Sequence, residues 1–184
     1  GYKIPANIAG AMLCAILSDT VIFKSPTCTE EDKKVASELA AIAGIEDIYA
    51  LGMELFTAKS SVAGVSPRDL IFRDFKDFNM NGAKVGVGQL ELISLDLVKD
   101  MKEALKAELA AVKNEEGRHT AMLLLTDIMK EGSELLLVSD DCNRVIAGFG
   151  LDPECLDVSG EIWLAGVMSR KKQVVPALEA AFRG

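Results

Sequence analysis

The sequence predicts an α/β fold in which a mixed sheet is flanked by helices and preceded by a separate helical segment. Residues 5–58 carry apolar residues at helical spacing, residues 59–66 are small and polar, and beyond them apolar runs of strand length alternate with helical patterns. Strands interleaved with helices are typical of layered α/β domains. The 184-residue chain is therefore expected to have a helical part over 1–58, a linker over 59–66 and a sheet domain over 67–184.

Three helices are expected in the first part: around residues 8–16, from Thr29 to Gly44, and from Asp47 to about Thr57. Thr29 is a suitable N-cap because three acidic residues follow it and favour the positive end of a helix dipole. Gly44 suits the left-handed residue that ends many helices. Pro26 interrupts the pattern between the first two helices, because the residue before a proline prefers an extended backbone.

The sheet domain is expected to begin with a short helix and a hairpin. Ser66 is placed as the N-cap of that helix and Pro67 as its first residue. The Asn81–Gly82 pair predicts the turn of the hairpin. The strands expected after this helix are a hairpin of residues 74–79 and 84–92 and three strands buried on both faces, over 120–128, 135–138 and 162–168. The expected helices cover residues 95–113, 140–148 and 173–182.

The charge balance and the cysteine pattern exclude several classes of protein. The formal net charge of −8 disfavours general nucleic-acid binding, because phosphate contacts need clustered cations. No apolar run reaches the roughly 18 residues of a membrane span. The cysteines form no CxxC pair, so free thiols in a reducing cytoplasm are expected rather than a zinc site; they are Cys14, Cys28, Cys142 and Cys155. The single histidine, His119, excludes a site of several imidazoles from this chain alone.

Three consecutive cations, Arg170, Lys171 and Lys172, follow an apolar run and precede a helical pattern. In open α/β sheets the carboxyl ends of strands face the ligand crevice, and a helix N-terminus adds N–H donors for an anion. Arginine grips phosphate oxygens with a planar fork, and lysine supplies a compact charge. The segment therefore indicates a phosphate site. A solvated basic turn is the alternative that composition alone leaves open.

Asp19 stands at the end of an apolar helical run. A carboxylate there faces the negative end of the helix dipole, which is unfavourable unless a cation compensates. A hard divalent metal ion would supply that compensation. The alternative is a carboxylate that caps a tight turn at Thr20 or Ser25.

Lys76 lies between Phe75 and Phe78 in the first predicted strand, where periodicity does not decide between a binding lysine and a surface lysine. The nearby Gly86 and Gly88 belong to no phosphate-binding loop, because the chain contains no GxxxxGK[ST] pattern.

Three strings of residues closely resemble the manganese-dependent (family II) inorganic pyrophosphatases of the DHH phosphoesterase superfamily. They are LSDT at 17–20, FKSPTCT at 23–29 and SRKKQVVP at 169–176. The resemblance covers nearly the whole chain, from about residue 8 to the end. The SRKKQ string is its most specific part, because related polyphosphatases match that string less well.

The resemblance implies a division of labour between two domains. An N-terminal DHH domain supplies most ligands of a two-metal centre, and a smaller C-terminal domain closes over it with cations that hold the substrate. Carried over residue by residue, Asp19 resembles a metal-binding aspartate, Arg170 and Lys171 resemble the pair that holds pyrophosphate, and Lys76 resembles a third substrate-binding cation. The implied metal is Mn(II), with cobalt or magnesium as alternatives.

The chain departs from the family in lacking the DHH motif and the other metal-binding aspartates and histidines. The expectation is therefore a C-terminal portion: residues 1–58 from the helical end of the DHH domain, 59–66 as a hinge, and 67–184 as the DHH-associated substrate-binding domain. The parent enzyme would be a cytoplasmic homodimer that hydrolyses pyrophosphate to phosphate. The isolated chain would bind pyrophosphate or phosphate weakly and hydrolyse nothing.

Two other functions remain open from the sequence. One is an exopolyphosphatase-like phosphoesterase, and the other is a non-catalytic module that senses phosphate or a nucleotide. Neither a nucleic acid nor a membrane is expected as a partner.

Overall fold

The computed structural model describes residues 3–152 and 162–183. The chain divides into two compact units, residues 1–61 and 62–184, and each is described by itself. Cys155 lies outside the described residues, while Cys14, Cys28 and Cys142 are free thiols, each half-buried.

The first unit consists of three helices, as predicted: α1 (Ala6–Asp19), α2 (Glu30–Ala43) and α3 (Ile48–Lys59). Thr29 begins α2 with a reciprocal cap, in which its hydroxyl accepts the Asp32 N–H and the Asp32 carboxylate accepts the Thr29 N–H. Gly44 ends the helix at φ 69°. Both ends of α2 are therefore fixed by the residues that the sequence pattern singled out.

A strained turn follows α1. Val21, Ile22 and Phe23 have φ values of 52°, 51° and 64°, a left-handed conformation that costs L-residues roughly 1–2 kcal/mol each. Val21 and Ile22 are nevertheless buried, at 2 % and 4 % exposed. A side chain at Gly52 of α3 would meet Ile22, since a Cβ there would lie 2.9 Å from Ile22 Cγ1. Close packing of Ile22 on Gly52 helps to hold the turn in place.

We expect Gly52→Ala to destabilise the first unit by about 1–3 kcal/mol, because the added methyl group overpacks Ile22. Gly10→Ala in α1 is the matched control, since a Cβ there would lie 3.8 Å from its nearest neighbour, Ala43 Cβ. The control should be neutral or stabilising, as alanine favours helices over glycine by about 1 kcal/mol. Chemical denaturation followed by circular dichroism compares the two, and equal midpoints would show that the packing of Ile22 on Gly52 does not matter.

The second unit contains a mixed sheet with helices on both faces, which confirms the predicted fold class. Its elements are α4 (Pro67–Phe72), β1 (Phe75–Met80), β2 (Ala83–Leu92), 3-10 turns over Leu95–Leu97 and Lys99–Met101, α5 (Lys102–Glu115), β3 (Thr120–Asp127), β4 (Gly132–Ser139), α6 (Cys142–Gly148), β5 (Ile162–Ala165), a π-helical turn over Arg170–Val174, and α7 (Val175–Phe182). The strand order is β1-β2-β3-β4-β5. Among the described strands, β2 and β3 pair in parallel and the other neighbours are antiparallel. Among the described residues, no helix is long and apolar enough to cross a membrane.

Each face of the sheet carries its own core. Val85 and Val87 of β2 face a cluster that includes Leu178 of α7, whereas Leu90 packs with Leu105 of α5 on the opposite face. Alternate residues of a strand point to opposite faces. All eight residues of β3 are buried, which explains its continuous apolar run.

The predicted helix over 95–113 begins late. Two 3-10 turns come first, and the α-helix starts at Lys102. Ser94 caps the first turn by accepting the Asp96 N–H, and this local bond competes with a regular α-helical start. In these turns Leu97 is 41 % exposed, while Val98 is fully buried.

The strand predicted over 162–168 is also wrong in its length and burial. β5 ends at Ala165, because Gly166 takes a left-handed φ of 73° and turns the chain. Among the described strands it pairs with β4 only, and Trp163 is 42 % exposed on one of its faces. Within the described sheet, β5 is therefore an edge strand rather than a strand buried on both faces.

Gly86 and Gly88 of β2 leave room for the ring of Phe75. A Cβ on Gly86 would lie 2.3 Å from Phe75 Cζ, and one on Gly88 would lie 3.2 Å from Phe75 Cδ2. The Phe75 ring thus lies across both positions, in agreement with the interpretation that these glycines form no phosphate loop.

Candidate functional site

Arg170 lies against the beginning of β1 and the middle of β2. Its Nη1 donates to the backbone carbonyls of Asp74 and Val87 at 2.8 and 3.1 Å. Its Nη2 donates to the Asp74 carboxylate at 2.7 Å. The residue is only 9 % exposed. The arginine of the SRKKQ string is therefore held by the β1–β2 hairpin rather than solvated in a turn.

Lys76 belongs to the same part of the hairpin. It is the register partner of Val87, whose carbonyl accepts a hydrogen bond from Arg170. Lys76 is exposed, and its ammonium group forms no ion pair or hydrogen bond with a described residue. The structure thus brings the backbone of Lys76 next to the guanidinium group of Arg170.

Lys171 follows Arg170 in the π-helical turn that leads into α7. Its side chain is exposed and, like that of Lys76, has no polar partner among the described residues. Ser169 caps this turn by accepting the Lys172 N–H at 3.3 Å. The cations expected to hold pyrophosphate therefore comprise a nearly buried arginine and two exposed lysines.

β5 runs parallel to β2 and β3, since it is separated from β3 by two antiparallel pairings. Arg170 therefore follows β5 at the same end of the sheet as the carboxyl ends of β2 and β3. This is the end where open α/β sheets bind ligands, and it is the placement that the sequence predicted for the cationic segment.

The loop between β5 and Arg170 is held by the side chain of Gln173. Its Oε1 accepts the backbone N–H groups of Met168 and Ser169, both at 2.9 Å. Its Nε2 donates to the Gly166 carbonyl at 2.8 Å. One amide side chain thus satisfies three backbone groups of the loop.

Gln89 of β2 fixes the same loop from the sheet. Its Nε2 donates to Thr126 Oγ1 at 3.0 Å and to the Met168 carbonyl at 3.1 Å. Its Oε1 accepts the Arg170 N–H at 3.3 Å. At 8 % exposed, Gln89 makes these bonds away from competing water, where leaving a partner unsatisfied is costly.

Two buried hydroxyl groups extend this network across the sheet. Ser133 Oγ of β4 donates to the Val167 carbonyl at 2.7 Å. Its only proton is then used, so Thr126 is the donor in the 2.8 Å contact between the two hydroxyl groups. Three neighbouring strands, β2, β3 and β4, therefore each contribute a polar side chain to this network.

None of the sequence motifs assigns a role to Gln89, Thr126, Ser133 or Gln173. A signal existed for the first two, because Gln89 lies within an apolar run of a predicted strand and Thr126 directly follows another. Buried polar groups are nearly always hydrogen-bonded, so their presence in a predicted core strand indicates a network. The loop that they bind could not be identified without the strand register.

Asp19 is the exposed last residue of α1, in the other unit. Its backbone carbonyl accepts a long hydrogen bond, 3.4 Å, from Thr27 Oγ1. Its carboxylate has no polar partner among the described residues. The turn is held by Thr20 instead, whose hydroxyl donates to the Ile16 carbonyl at 2.7 Å and accepts the Phe23 N–H. The structure therefore does not show the capping role that was the alternative for this carboxylate.

A manganese centre does not fit the residues described here. No group of three His, Cys, Asp or Glu side chains in residues 3–152 and 162–183 could hold a metal ion. Divalent ions of this kind take about four to six ligands, and Asp19 would supply one carboxylate. Any metal centre that uses Asp19 needs further ligands from outside these residues.

Comparison with known proteins assigns the family. The profile of the DHHA2 domain matches residues 53–181. The chain belongs to the DHHA2 domain family. This DHHA2 chain is 51 % identical over 99 % of its length to a probable manganese-dependent inorganic pyrophosphatase of Archaeoglobus fulgidus, and 46 % identical over 99 % to a manganese-dependent inorganic pyrophosphatase of Methanocaldococcus jannaschii.

A solved structure agrees with this assignment. A crystal structure described as a family II inorganic pyrophosphatase of Methanococcus jannaschii matches all of the DHHA2 chain with a TM-score of 0.88 and 45 % identity. The chain spans 55 %, 58 % and 58 % of the lengths of these three relatives. The predicted resemblance to the manganese-dependent pyrophosphatases is thereby confirmed.

The network around Arg170 makes crossed predictions for two glutamines. Gln89→Leu should leave the Arg170 amide without its acceptor and speed its hydrogen exchange, whereas Gln173→Leu should speed exchange at the Met168 and Ser169 amides. Each variant should also lose about 1–3 kcal/mol of stability, the cost of unsatisfied buried polar groups. Amide exchange followed by NMR measures both effects. Unchanged Arg170 exchange in Gln89→Leu would contradict the role given to Gln89.

Proposed function

We propose that the complete protein is a manganese-dependent inorganic pyrophosphatase that hydrolyses pyrophosphate to two phosphates. In this proposal Arg170, Lys171 and Lys76 of the DHHA2 chain bind the substrate, and Asp19 supplies one ligand to the metal centre. The observation that carries the proposal is the placement of Arg170 at the carboxyl ends of the parallel strands, against the hairpin that carries Lys76. The identities of 51 % and 46 % to manganese-dependent pyrophosphatases support it.

The chemistry of the substrate fits these three cations. Pyrophosphate carries several negative charges in a small volume, and its cleavage places more charge on the leaving phosphate. The guanidinium group of Arg170 offers paired N–H donors, while Lys76 and Lys171 offer point charges that can follow the substrate. Metal ions would polarise the attacked phosphoryl group and activate a water molecule.

The proposed organisation has three parts. Residues 1–58 are the helical end of a DHH domain, residues 59–66 are a hinge, and residues 67–184 are the substrate-binding domain. The boundary between the two compact units, at residues 61 and 62, lies inside this hinge and supports the division. The remaining ligands for Mn(II) belong to an N-terminal DHH domain, and the complete enzyme is a cytoplasmic homodimer.

The decisive experiment uses the complete enzyme with Mn(II) and measures phosphate release and metal affinity separately. Arg170→Ala and Lys171→Ala should raise the KM for pyrophosphate about 10- to 100-fold, as expected for the loss of a charge-assisted hydrogen bond, with nearly unchanged Mn(II) affinity. Asp19→Asn should weaken Mn(II) binding instead. Lys99→Ala removes an exposed lysine of a 3-10 turn and is the control, with unchanged kinetics expected.

Two results would contradict the proposal. One is equal weakening of metal binding by Arg170→Ala and Asp19→Asn, since the two residues would then not have separate roles. The other is phosphate release by the 184-residue chain with Mn(II) at the rate of the complete enzyme. A preference of the complete enzyme for long polyphosphate over pyrophosphate would favour the exopolyphosphatase alternative.

A further inference from the structure

Two arginines of the second unit are nearly buried, and they use their donors differently. Arg118 directs Nε and Nη2 at the two carboxylate oxygens of Asp77, at 2.7 and 2.9 Å, and Nη1 at the Val112 carbonyl. These bonds hold the pKa of Asp77 below its usual value. The fork formed by Nε and Nη2 of Arg118 is filled by an acid of its own chain, so Arg118 is a structural residue.

Arg170 is held by the described residues at the Nη1 and Nη2 end of its guanidinium group, not through its Nε. Nη1 and Nη2 contact Asp74 and Val87, which uses three of the five N–H donors of an arginine. Nε has no partner among the described residues, and one N–H of Nη2 is also unused. The fork that Asp77 fills in Arg118 is thus left open in Arg170.

Asp74 is suited to hold this orientation. Its backbone carbonyl accepts both the Gln89 N–H at 3.0 Å and Nη1 of Arg170 at 2.8 Å. The backbone of Asp74 is thereby tied to β2, and the carboxylate extends from that fixed point to Nη2 through Oδ1 alone. Asp74 binds the end of the guanidinium group and does not reach its Nε.

We propose that Asp74 is a positioning residue for pyrophosphate binding: it fixes the end of the Arg170 guanidinium group so that Nε and Nη2 present a paired donor to a phosphoryl group. This inference rests on the proposed function of Arg170. Asp74 itself touches no substrate. It reduces the freedom that Arg170 would lose on binding, which is a contribution to affinity rather than to the chemical step.

The opposite role for the Asp74 carboxylate would be to weaken pyrophosphate binding. The direction in which KM changes on its removal distinguishes the two roles. A carboxylate beside a guanidinium group also competes with phosphate for it, and its removal would then strengthen binding. The geometry favours positioning, because the end that Asp74 occupies is held in addition by the carbonyls of Asp74 and Val87. Removing the carboxylate would loosen Arg170 without clearing that end for an anion.

The test is a double-mutant cycle on the complete enzyme with Mn(II). Asp74→Ala should raise the KM for pyrophosphate about tenfold with little change in kcat, and should add almost nothing in an Arg170→Ala background. Asp74→Asn keeps an oxygen acceptor and should restore most of the affinity. Asp77→Asn, three residues further along the chain in β1, is the matched control: it weakens a structural arginine pair and should lower the melting temperature while KM stays within about twofold.

The possible results distinguish failure of the inference about Asp74 from failure of the proposed function of Arg170. A lower KM in Asp74→Ala would show that the carboxylate competes with substrate, and an unchanged KM would remove its role; both overturn the inference. Full additivity with Arg170→Ala would also overturn it, because Asp74 would then act through another group. If Arg170→Ala itself leaves KM unchanged, the proposed function of Arg170 fails. If Arg170→Ala impairs binding while Asp74→Ala does not, only the inference fails.

Discussion

The hydrogen bonding of one irregular loop to the sheet is the constraint on which the candidate site depends. The segment from Gly166 to Ser169 has no regular structure of its own, and backbone groups of this kind need partners when they are buried. Gln89 and Gln173 together supply acceptors or donors for Gly166, Met168, Ser169 and the N–H of Arg170. The position of the cations that follow is therefore set by uncharged side chains.

This arrangement separates two tasks that a binding site must perform. Neutral amide and hydroxyl groups determine where the backbone lies, so the loop is fixed without adding negative charge close to the cations. Among the described residues, the acidic side chain that contacts Arg170 is Asp74, which pairs with it by a single oxygen. Lys76 and Lys171 are exposed and have no polar partner among the described residues, which suits the proposed binding of a multiply charged anion.

The sequence predicted the fold class, the three helices of the first unit and the succession of strands and helices along the chain, because these depend on local periodicity and on caps such as Thr29 and Ser66. It placed Arg170 at the correct end of the sheet for the same reason. It did not predict the 3-10 start before α5 or the short β5, where local side-chain bonds and an edge position override periodicity. Nor could it show that Arg170 contacts Asp74, since that contact depends on tertiary register.

The parallel pairing of β2 with β3 has a consequence for how the protein acquires its site. Antiparallel neighbours joined by short turns can form early as hairpins, but a parallel pair must close a long connection, which here contains α5. Asp74 and Arg170 are 96 residues apart in the chain, and Gln89 and Met168 are 79 apart. The arrangement of residues around Arg170 is thus a late product of cooperative folding, so a partly folded intermediate would lack it.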